Sequence, residues 1–169
     1  MEIPVIKVKE LREQSGAGVM DCRNALLEAE GDIEKALQIL RQKGFLEAKK
    51  KAERSATQGV INAYIHTDGR IGAMVEVNCE TDFVARTDEF KALAHNLAMQ
   101  VAAIPPQFIS ADDAPTHDIK EAETACLLQQ PYIKDPSKTV QDIITETIAK
   151  VGENIKVSRF ARFELGVNQ

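Results

Sequence analysis

The chain has 169 residues, of which 44% are hydrophobic and 28% charged, a balance typical of a globular protein that buries its own core. Asp and Glu number 26 against 21 Lys and Arg, and the formal net charge of -5 argues against a protein that binds nucleic acid, independently of sequence, over most of its surface. No apolar run approaches the roughly 20 residues of a membrane helix, and no signal peptide is predicted, so we expect no membrane partner.

The cysteines indicate a reducing compartment. Cys22, Cys79 and Cys126 are odd in number and far apart, which predicts neither a disulfide framework nor a structural zinc site. We therefore expect a cytoplasmic location or its equivalent in an organelle.

Apolar residues recur at helical spacing in three short pieces at the start of the chain, and glycine-containing turns near Gly16 and Gly31 separate them. This pattern predicts a three-helix module over residues 1–45. Asp32 is expected to cap the third helix and Gly44 to end it in a left-handed conformation. Helices this short bury little surface, so the module should be marginally stable alone.

A basic linker helix is predicted over residues 46–57, where Lys49, Lys50, Lys51 and Arg54 follow one another closely. Charge runs of this kind usually face water. The alternative is a contact with an acidic partner surface, and the sequence leaves both interpretations open.

The period then changes to the alternation of β-strands. Ile61, Ala63 and Ile65 alternate with polar residues, and after Asp68-Gly69 a second alternating run follows from Ile71 to Cys79. Asp-Gly between such runs predicts a hairpin with a type I′ turn. A third run is expected to complete an antiparallel sheet with one apolar face: Ile155, Val157, Arg159, Ala161, Phe163 and Leu165.

Three amphipathic segments should cover that face, over residues 90–101, 119–128 and 140–151, with a loop near Pro105-Pro106 and a break at Gln130-Pro131. The predicted fold class is α+β: an N-terminal three-helix module plus helices packed on a three-stranded antiparallel sheet. Residues 58–169 would form this α+β core.

Enzyme chemistry finds little support. The patterns of phosphate-binding loops, zincins and serine nucleophile elbows are absent from the sequence. His66, His95 and His117 stand alone, and acidic neighbours of Cys79 should raise its pKa rather than activate it. We expect no catalytic residue, metal or cofactor; a hydrolase using Cys79 or Cys126 is the enzyme alternative.

The candidate site is the corner between the second strand and the following helix, where Thr81, Asp82, Phe83 and Val84 stand side by side. Corners of this kind tend to project side chains. One interpretation makes Asp82 a turn residue and Phe83 an anchor under the next helix. The other makes the four residues a wedge, here called the tip.

Several segments resemble the elongation factor Ts family, and they occur in the same order along nearly the whole chain: Val8-Lys9-Glu10-Leu11-Arg12, Gly16-Ala17-Gly18-Val19-Met20-Asp21-Cys22, Gly31-Asp32-Ile33-Glu34-Lys35-Ala36, Val75-Glu76-Val77-Asn78-Cys79-Glu80-Thr81-Asp82-Phe83-Val84-Ala85 and Gly152-Glu153-Asn154-Ile155.

The resemblance implies a guanine-nucleotide exchange factor for elongation factor Tu, without covalent catalysis and without a cofactor. It would bind the GDP-bound and nucleotide-free forms, promote Mg²⁺ and GDP release and leave when GTP binds. The three-helix module would resemble a ubiquitin-associated domain and dock on the partner through Leu11, Arg12, Val19 and Met20. The tip would insert into the partner.

The chain resembles short members of this family, because the stretch from Pro106 to Gly152 leaves no room for the second core subdomain and helical hairpin of longer members. Some short members form homodimers, so a monomer and a dimer carrying two elongation factor Tu molecules both stay open. The source is bacterial cytoplasm or, alternatively, plastid stroma. A peptide- or nucleic-acid-binding module is the rival function, and the net charge disfavours it.

Overall fold

The computed structural model describes residues 3–114 and 122–167. Three helices form the N-terminal module: α1 (Val5–Ser15), α2 (Val19–Glu28) and α3 (Ile33–Lys51). Their apolar faces meet in a small core, as predicted, which consists of Val8, Leu11, Cys22, Ala25, Leu26, Ala29 and Ala36.

The start of α3 is as predicted and its end is not. An Asp32 side-chain oxygen accepts a hydrogen bond from the Lys35 N–H at 3.0 Å, which is the expected N-cap. The helix then continues through Gly44 to Lys51, so the end predicted at Gly44 is wrong. Ala48 lies in the main core, because the second half of α3 packs against the rest of the protein and this packing outweighs the weak helix propensity of glycine. Lys49, Lys50 and Lys51 occupy the last turn of the same helix, where they face its negative dipole end.

A three-stranded antiparallel sheet forms in the order β1-β2-β5, from β1 (Gln58–Ile65), β2 (Ile71–Cys79) and β5 (Ile155–Glu164). The hairpin between β1 and β2 is confirmed. Its turn differs from type I′, because Gly69 has a positive φ of 69° and Asp68 does not. The Asp68 carboxylate instead accepts a hydrogen bond from the Arg70 N–H at 3.1 Å, which favours an Asx-type turn.

The inward face of β1 is the opposite of the expected one. In the observed register Tyr64 lies opposite Ala73 and Val60 opposite Val77, so Val60 and Tyr64 share the core face. Ile61 and Ile65 point away and are 63% and 66% exposed. The side-chain period of a strand is two, and the pairing with β2 therefore decides which alternate set of β1 is buried.

In β5, a register shift opposite Glu76 and Val77 decides which alternate side chains are buried. Before it, Ile155 and Val157 face the core; after it, Phe160 packs against the core while Phe163 is 65% exposed. The extra residue of a bulge reverses the alternation. The sheet consequently carries a second apolar surface, the outer sheet face, formed by Ile61, Ile65, Met74 and Phe163.

Helices cover the inner face of the sheet. The second half of the chain contains α4 (Asp82–Ala85), α5 (Asp88–Ala103), α6 (Ala122–Ala125), a two-stranded sheet of β3 (Pro131–Tyr132) and β4 (Asp135–Thr139), and α7 (Val140–Val151). Helices α5 and α7 match the predicted segments and supply the core residues Phe90, Leu97, Val101, Val140, Ile144 and Ile148.

The helix predicted over residues 119–128 is interrupted where the structure describes it. Cys126 pairs with Phe108 in an isolated bridge, and the Leu127 N–H donates to the Phe108 carbonyl at 2.9 Å. This pairing replaces helical hydrogen bonds, so α6 ends at Ala125 and a short 3-10 turn follows. The beginning of the predicted segment and His117 lie outside the described residues.

Candidate functional site

The tip projects from the junction between β2 and α4. Thr81 caps α4, with its hydroxyl oxygen accepting from the Val84 N–H at 3.4 Å. Phe83 follows in the first turn and is 78% exposed. The side chain therefore does not anchor the next helix, and the structure leaves the ring free to contact a partner.

Asp82 is held on the same turn by one exposed ion pair. Its carboxylate lies 2.8 Å from the Arg86 guanidinium; the Arg86 side chain is 75% exposed to solvent and the Asp82 side chain 47%. An exposed pair at this helical spacing is worth about 0.3–0.5 kcal/mol. Asp82 can exchange Arg86 for another positive partner at small cost.

The base of the tip is bound by two residues from the loop after α7. One Glu153 oxygen accepts from the Glu80 and Thr81 N–H groups at 3.1 and 3.0 Å, and the other accepts from the Thr81 hydroxyl at 2.6 Å. Asn154 donates its N–H to the Glu80 carboxylate at 2.7 Å. Sequence analysis quoted Glu153 and Asn154 only as part of a motif; a carboxylate and an amide just after a predicted helix C-terminus were the available signal.

Of the four residues predicted to dock on a partner, the module exposes three. Arg12, Val19 and Met20 are exposed, and Val19 and Met20 are 50% and 60% accessible. Leu11 is fully buried between the module helices, where it fixes α1 against α2 beneath this surface. Val5 and Ile6 at the start of α1 add exposed apolar area that the sequence analysis did not single out.

The basic residues near the end of α3 have acidic neighbours in the chain. Lys50 lies 2.8 Å from Glu47, and the resulting hydrogen bond and charge lower the pKa of Glu47. Arg54 lies 3.6 Å from the Glu80 carboxylate at the base of the tip. One residue of the basic segment thus contacts the region of the tip itself.

The cysteines lack the environment of a nucleophile. Cys22, Cys79 and Cys126 are free and buried. Burial raises the pKa of Cys79, and the Glu153 charge adds to the effect; burial likewise raises the pKa of Cys126, with a contribution from Asp113. A thiol with a raised pKa is mostly protonated and unreactive near neutral pH, which argues against the cysteine-hydrolase alternative.

Two further kinds of feature concern the described part of the chain, a cluster of metal-ligating side chains and a helix of membrane-spanning length. Residues 3–114 and 122–167 contain no cluster of three or more His, Cys, Asp or Glu side chains that could hold a metal ion. His66 and His95 instead contact Tyr64. The Tyr64 hydroxyl lies 3.0 Å from the His66 Nδ1, and the His95 ring packs edge-on against the Tyr64 ring. None of the described helices is long and apolar enough to cross a bilayer.

The family profile and the similar proteins found by sequence comparison all carry the same family name. The sequence profile of the family described as "Elongation factor TS" matches residues 45–125 and 119–167. Elongation factor Ts of Carboxydothermus hydrogenoformans is 52% identical over 189 residues, covering 94% of this chain and 87% of the relative. The proteins of the same name from Thermotoga neapolitana and Thermotoga maritima are 50% and 49% identical over 194 residues, covering 98% of both chains in each case. The chain belongs to the elongation factor Ts family, and that membership implies a role in translation elongation.

Proposed function

We propose that this protein is a guanine-nucleotide exchange factor for elongation factor Tu. On this proposal it binds the GDP-bound GTPase, promotes release of Mg²⁺ and GDP, and stays bound until GTP displaces it. The observation that carries the proposal is the tip: a family motif whose aromatic residue, Phe83, is 78% exposed on a turn whose N-cap, Thr81, donates a hydrogen bond to Glu153.

The energetics of exchange follow from linkage. A GTPase holds GDP through backbone N–H groups, a lysine and Mg²⁺ bridged to the phosphates, and release is slow while these contacts persist. An exchange factor must bind the nucleotide-free form better than the GDP-bound form. The factor by which it weakens GDP binding equals the factor by which GDP weakens its own binding, so nucleotide rebinding finally displaces it.

Phe83 supplies binding free energy for that preference. Complete burial of such a ring is worth about 1.5–3 kcal/mol, which corresponds to about 10- to 150-fold in an equilibrium constant. The ring would enter an apolar gap that opens only in the distorted partner. Asp82, held only by the exposed pair with Arg86, would disturb the groups that order Mg²⁺.

The N-terminal module provides a separate hold on the partner. Val19 and Met20 are half-exposed apolar residues at the start of α2, and Arg12 adds a charge beside them. Apolar contacts of this kind would keep the tip near its target before the partner distorts. Loss of the module surface should therefore weaken binding, whereas loss of the tip should slow release from the bound complex.

The first test measures release of fluorescent GDP from elongation factor Tu over a range of factor concentrations, with excess unlabelled GDP as the chase. We expect Phe83→Ala to lower the maximal release rate by about tenfold or more, because the variant loses the ring's burial. Met20→Glu should mainly raise the concentration needed for half-maximal release. Phe45→Ala is the matched control, because Phe45 is also an exposed phenylalanine, at 55%, on α3.

Equal maximal rates for Phe83→Ala and wild type would rule out the wedge. Absence of acceleration by the folded wild-type protein would rule out the exchange function. In that case, strongly salt-dependent binding of RNA or peptides that ignores GDP would favour the rival binding-module function.

The outer sheet face supports a further proposal about assembly: a second copy of the chain covers it, and the dimer binds two partner molecules. Ile61, Ile65, Met74 and Phe163 lie on one side of the sheet, each 48% exposed or more. Contiguous apolar surface on one sheet face usually marks an interaction site. Two copies related by a twofold axis could pack these faces as a sandwich, because an isologous contact needs only a self-complementary surface.

A further inference from the structure

The loop after α7 makes the polar contacts that bind the base of the tip. Glu153 accepts hydrogen bonds from two consecutive backbone N–H groups and from the Thr81 hydroxyl, at 3.1, 3.0 and 2.6 Å. A charged acceptor forms shorter and stronger hydrogen bonds than a neutral one. A single carboxylate thereby fixes the backbone of Glu80 and Thr81 and the rotamer of Thr81.

These backbone groups have no partner within their own secondary structure. Strand β2 ends at Cys79, and Thr81 is the N-cap of α4. Their N–H groups therefore belong neither to the ladder nor to the helix, and Glu153 supplies their acceptor. The Thr81 hydroxyl donates to Glu153, while its oxygen accepts from Val84, so the carboxylate also orients the cap of the turn that carries Phe83.

Asn154 connects the same place to the helix that leads from the N-terminal module. Its side chain is buried and donates to the Ala52 and Arg54 carbonyls at 3.3 and 2.8 Å. Its backbone N–H donates to the Glu80 carboxylate, which also lies 3.6 Å from the Arg54 guanidinium. Three segments distant in sequence meet here: the end of α3, the base of the tip and the loop after α7.

The Phe83 ring makes few packing contacts with the rest of the protein. The ring is 78% exposed, so its direction depends on the backbone of the turn rather than on packing. Glu89 and Lys150 form an ion pair nearby in sequence at 3.2 Å, but it links α5 to α7 and leaves the tip untouched. Val84 and Ala85 pack the turn against the main core, and the Cys79 thiol donates to the Thr81 carbonyl at 3.1 Å. The contacts of Glu153 and Asn154 are the polar ties that join the base of the tip to the loop after α7.

We propose that Glu153 is the positioning residue of the tip and that Asn154 aligns the tip with the end of α3. The inference rests on the exchange function proposed above and assigns roles that the family motif does not reveal. With the contacts of Glu153 and Asn154 intact, the tip presents Phe83 in one direction relative to α3, the helix that leads from the docking module. Without them, the complex still forms, but fewer complexes hold Phe83 where it can insert.

The test separates binding from release. Maximal GDP-release rate and half-saturating factor concentration are measured for wild type, Glu153→Ala, Glu153→Gln and Asn154→Ala. Glu146→Gln is the matched control, because Glu146 is another glutamate near the end of the chain, lies within α7 and pairs with Lys138 at 2.8 Å, away from the tip. We expect Glu153→Ala to lower the maximal rate roughly 10- to 100-fold, the loss typical of hydrogen bonds to a charged group, with little change in half-saturation.

Glu153→Gln should have a maximal release rate between those of wild type and Glu153→Ala. Its amide oxygen still accepts from the backbone N–H groups, whereas its amide nitrogen cannot accept from the Thr81 hydroxyl. Asn154→Ala should also lower the maximal rate. A second pair of variants guards against misfolding: Thr81→Val should slow release, and Thr81→Ser, which keeps the hydroxyl, should restore it. Amide hydrogen exchange of Glu80 and Thr81 should become faster in Glu153→Ala whether or not the partner is present.

The outcomes distinguish the two proposals. An inactive wild-type protein would contradict the exchange function. An active wild type with an equally active Glu153→Ala, or a loss confined to half-saturation, would overturn the positioning role alone. Failure of Thr81→Ser to restore the rate lost in Thr81→Val would also overturn it.

Discussion

Phe83 and Phe90 lie in adjacent helices of one segment and have opposite environments. Phe90 is fully buried on the face of α5 that packs on the sheet, whereas Phe83 is 78% exposed on the preceding turn. Helical periodicity predicts the first, because Phe90 shares its face with Leu93, Ala94 and Leu97. A four-residue helix offers no such face, so only the folded structure reveals that Phe83 is left outside.

Chemical labelling tests the residue-scale claim that the cysteines are structural. Burial raises the pKa of Cys79 and Cys126, so their thiolate fraction near neutral pH is lower in the native than in the unfolded protein. We expect an alkylating reagent at pH 7.5 to modify the native protein at least roughly 100-fold more slowly than the urea-unfolded protein, because reaction requires opening of the core.

The same pKa shift predicts the direction of the pH dependence. A thiol that ionises later in the folded state contributes stability that is fully present below its unfolded pKa of about 8.5 and is lost as pH rises above that value. The urea midpoint should therefore fall at alkaline pH. Rapid native labelling of Cys79 near pH 7 would contradict the assignment.

At the scale of elements, glycine plays different roles in two helices that face each other. Gly44 lies inside α3, where an added Cβ would meet the Ala149 Cβ at an ordinary 3.6 Å. Gly152 ends α7 in the left-handed region with a φ of 76°. The sequence shows a glycine at both positions, but only the backbone conformation distinguishes a tolerated interior glycine from a required cap.

A pair of substitutions measures this difference. Gly44→Ala should raise the free energy of unfolding by about 0.5–1 kcal/mol, because alanine restricts the unfolded chain and favours the helix. Gly152→Ala should lower it by about 1–2 kcal/mol through left-handed strain, although nothing lies within 4 Å of the added Cβ. Urea unfolding with unchanged m-values provides the measurement; destabilisation by Gly44→Ala would show that α3 does not continue as described.

At the scale of the whole molecule, the sheet has one apolar face under the helices and another facing outward. The inner face contributes Val75, Val77 and Cys79 to the core. The outer sheet face has no covering element within the described chain, and its apolar side chains remain half-exposed or more. This asymmetry between a covered and an uncovered apolar face is the basis for the proposed dimer.

Charge placed on that face should separate the copies. We expect wild type to sediment as a dimer and Ile61→Lys with Phe163→Lys to sediment as a folded monomer, because two lysines would have to be buried against each other. Val5→Lys is the control, because Val5 is an apolar residue on the module that is 84% exposed, more than Ile61 at 63% or Phe163 at 65%. A monomeric wild-type protein at micromolar concentration, or a double variant that stays dimeric, would refute the proposal.

Local signals in the sequence determined most of the secondary structure and the family. Asp32 and Asp68-Gly69 act within a few residues of themselves, so the start of α3 and the first hairpin could be predicted. The tip was recognisable for the same reason, because its motif is continuous along the chain.

Tertiary structure decided what depends on pairing between distant residues. The register of β1 with β2 and the shift opposite Glu76 chose which alternate side chains face the core, and a shift of one residue reverses that choice. Gly44 stays helical because of packing by residues far along the chain. Glu153 meets Thr81 across 72 residues of sequence, a separation over which neither periodicity nor capping rules carry information, so only the folded chain shows what holds the tip.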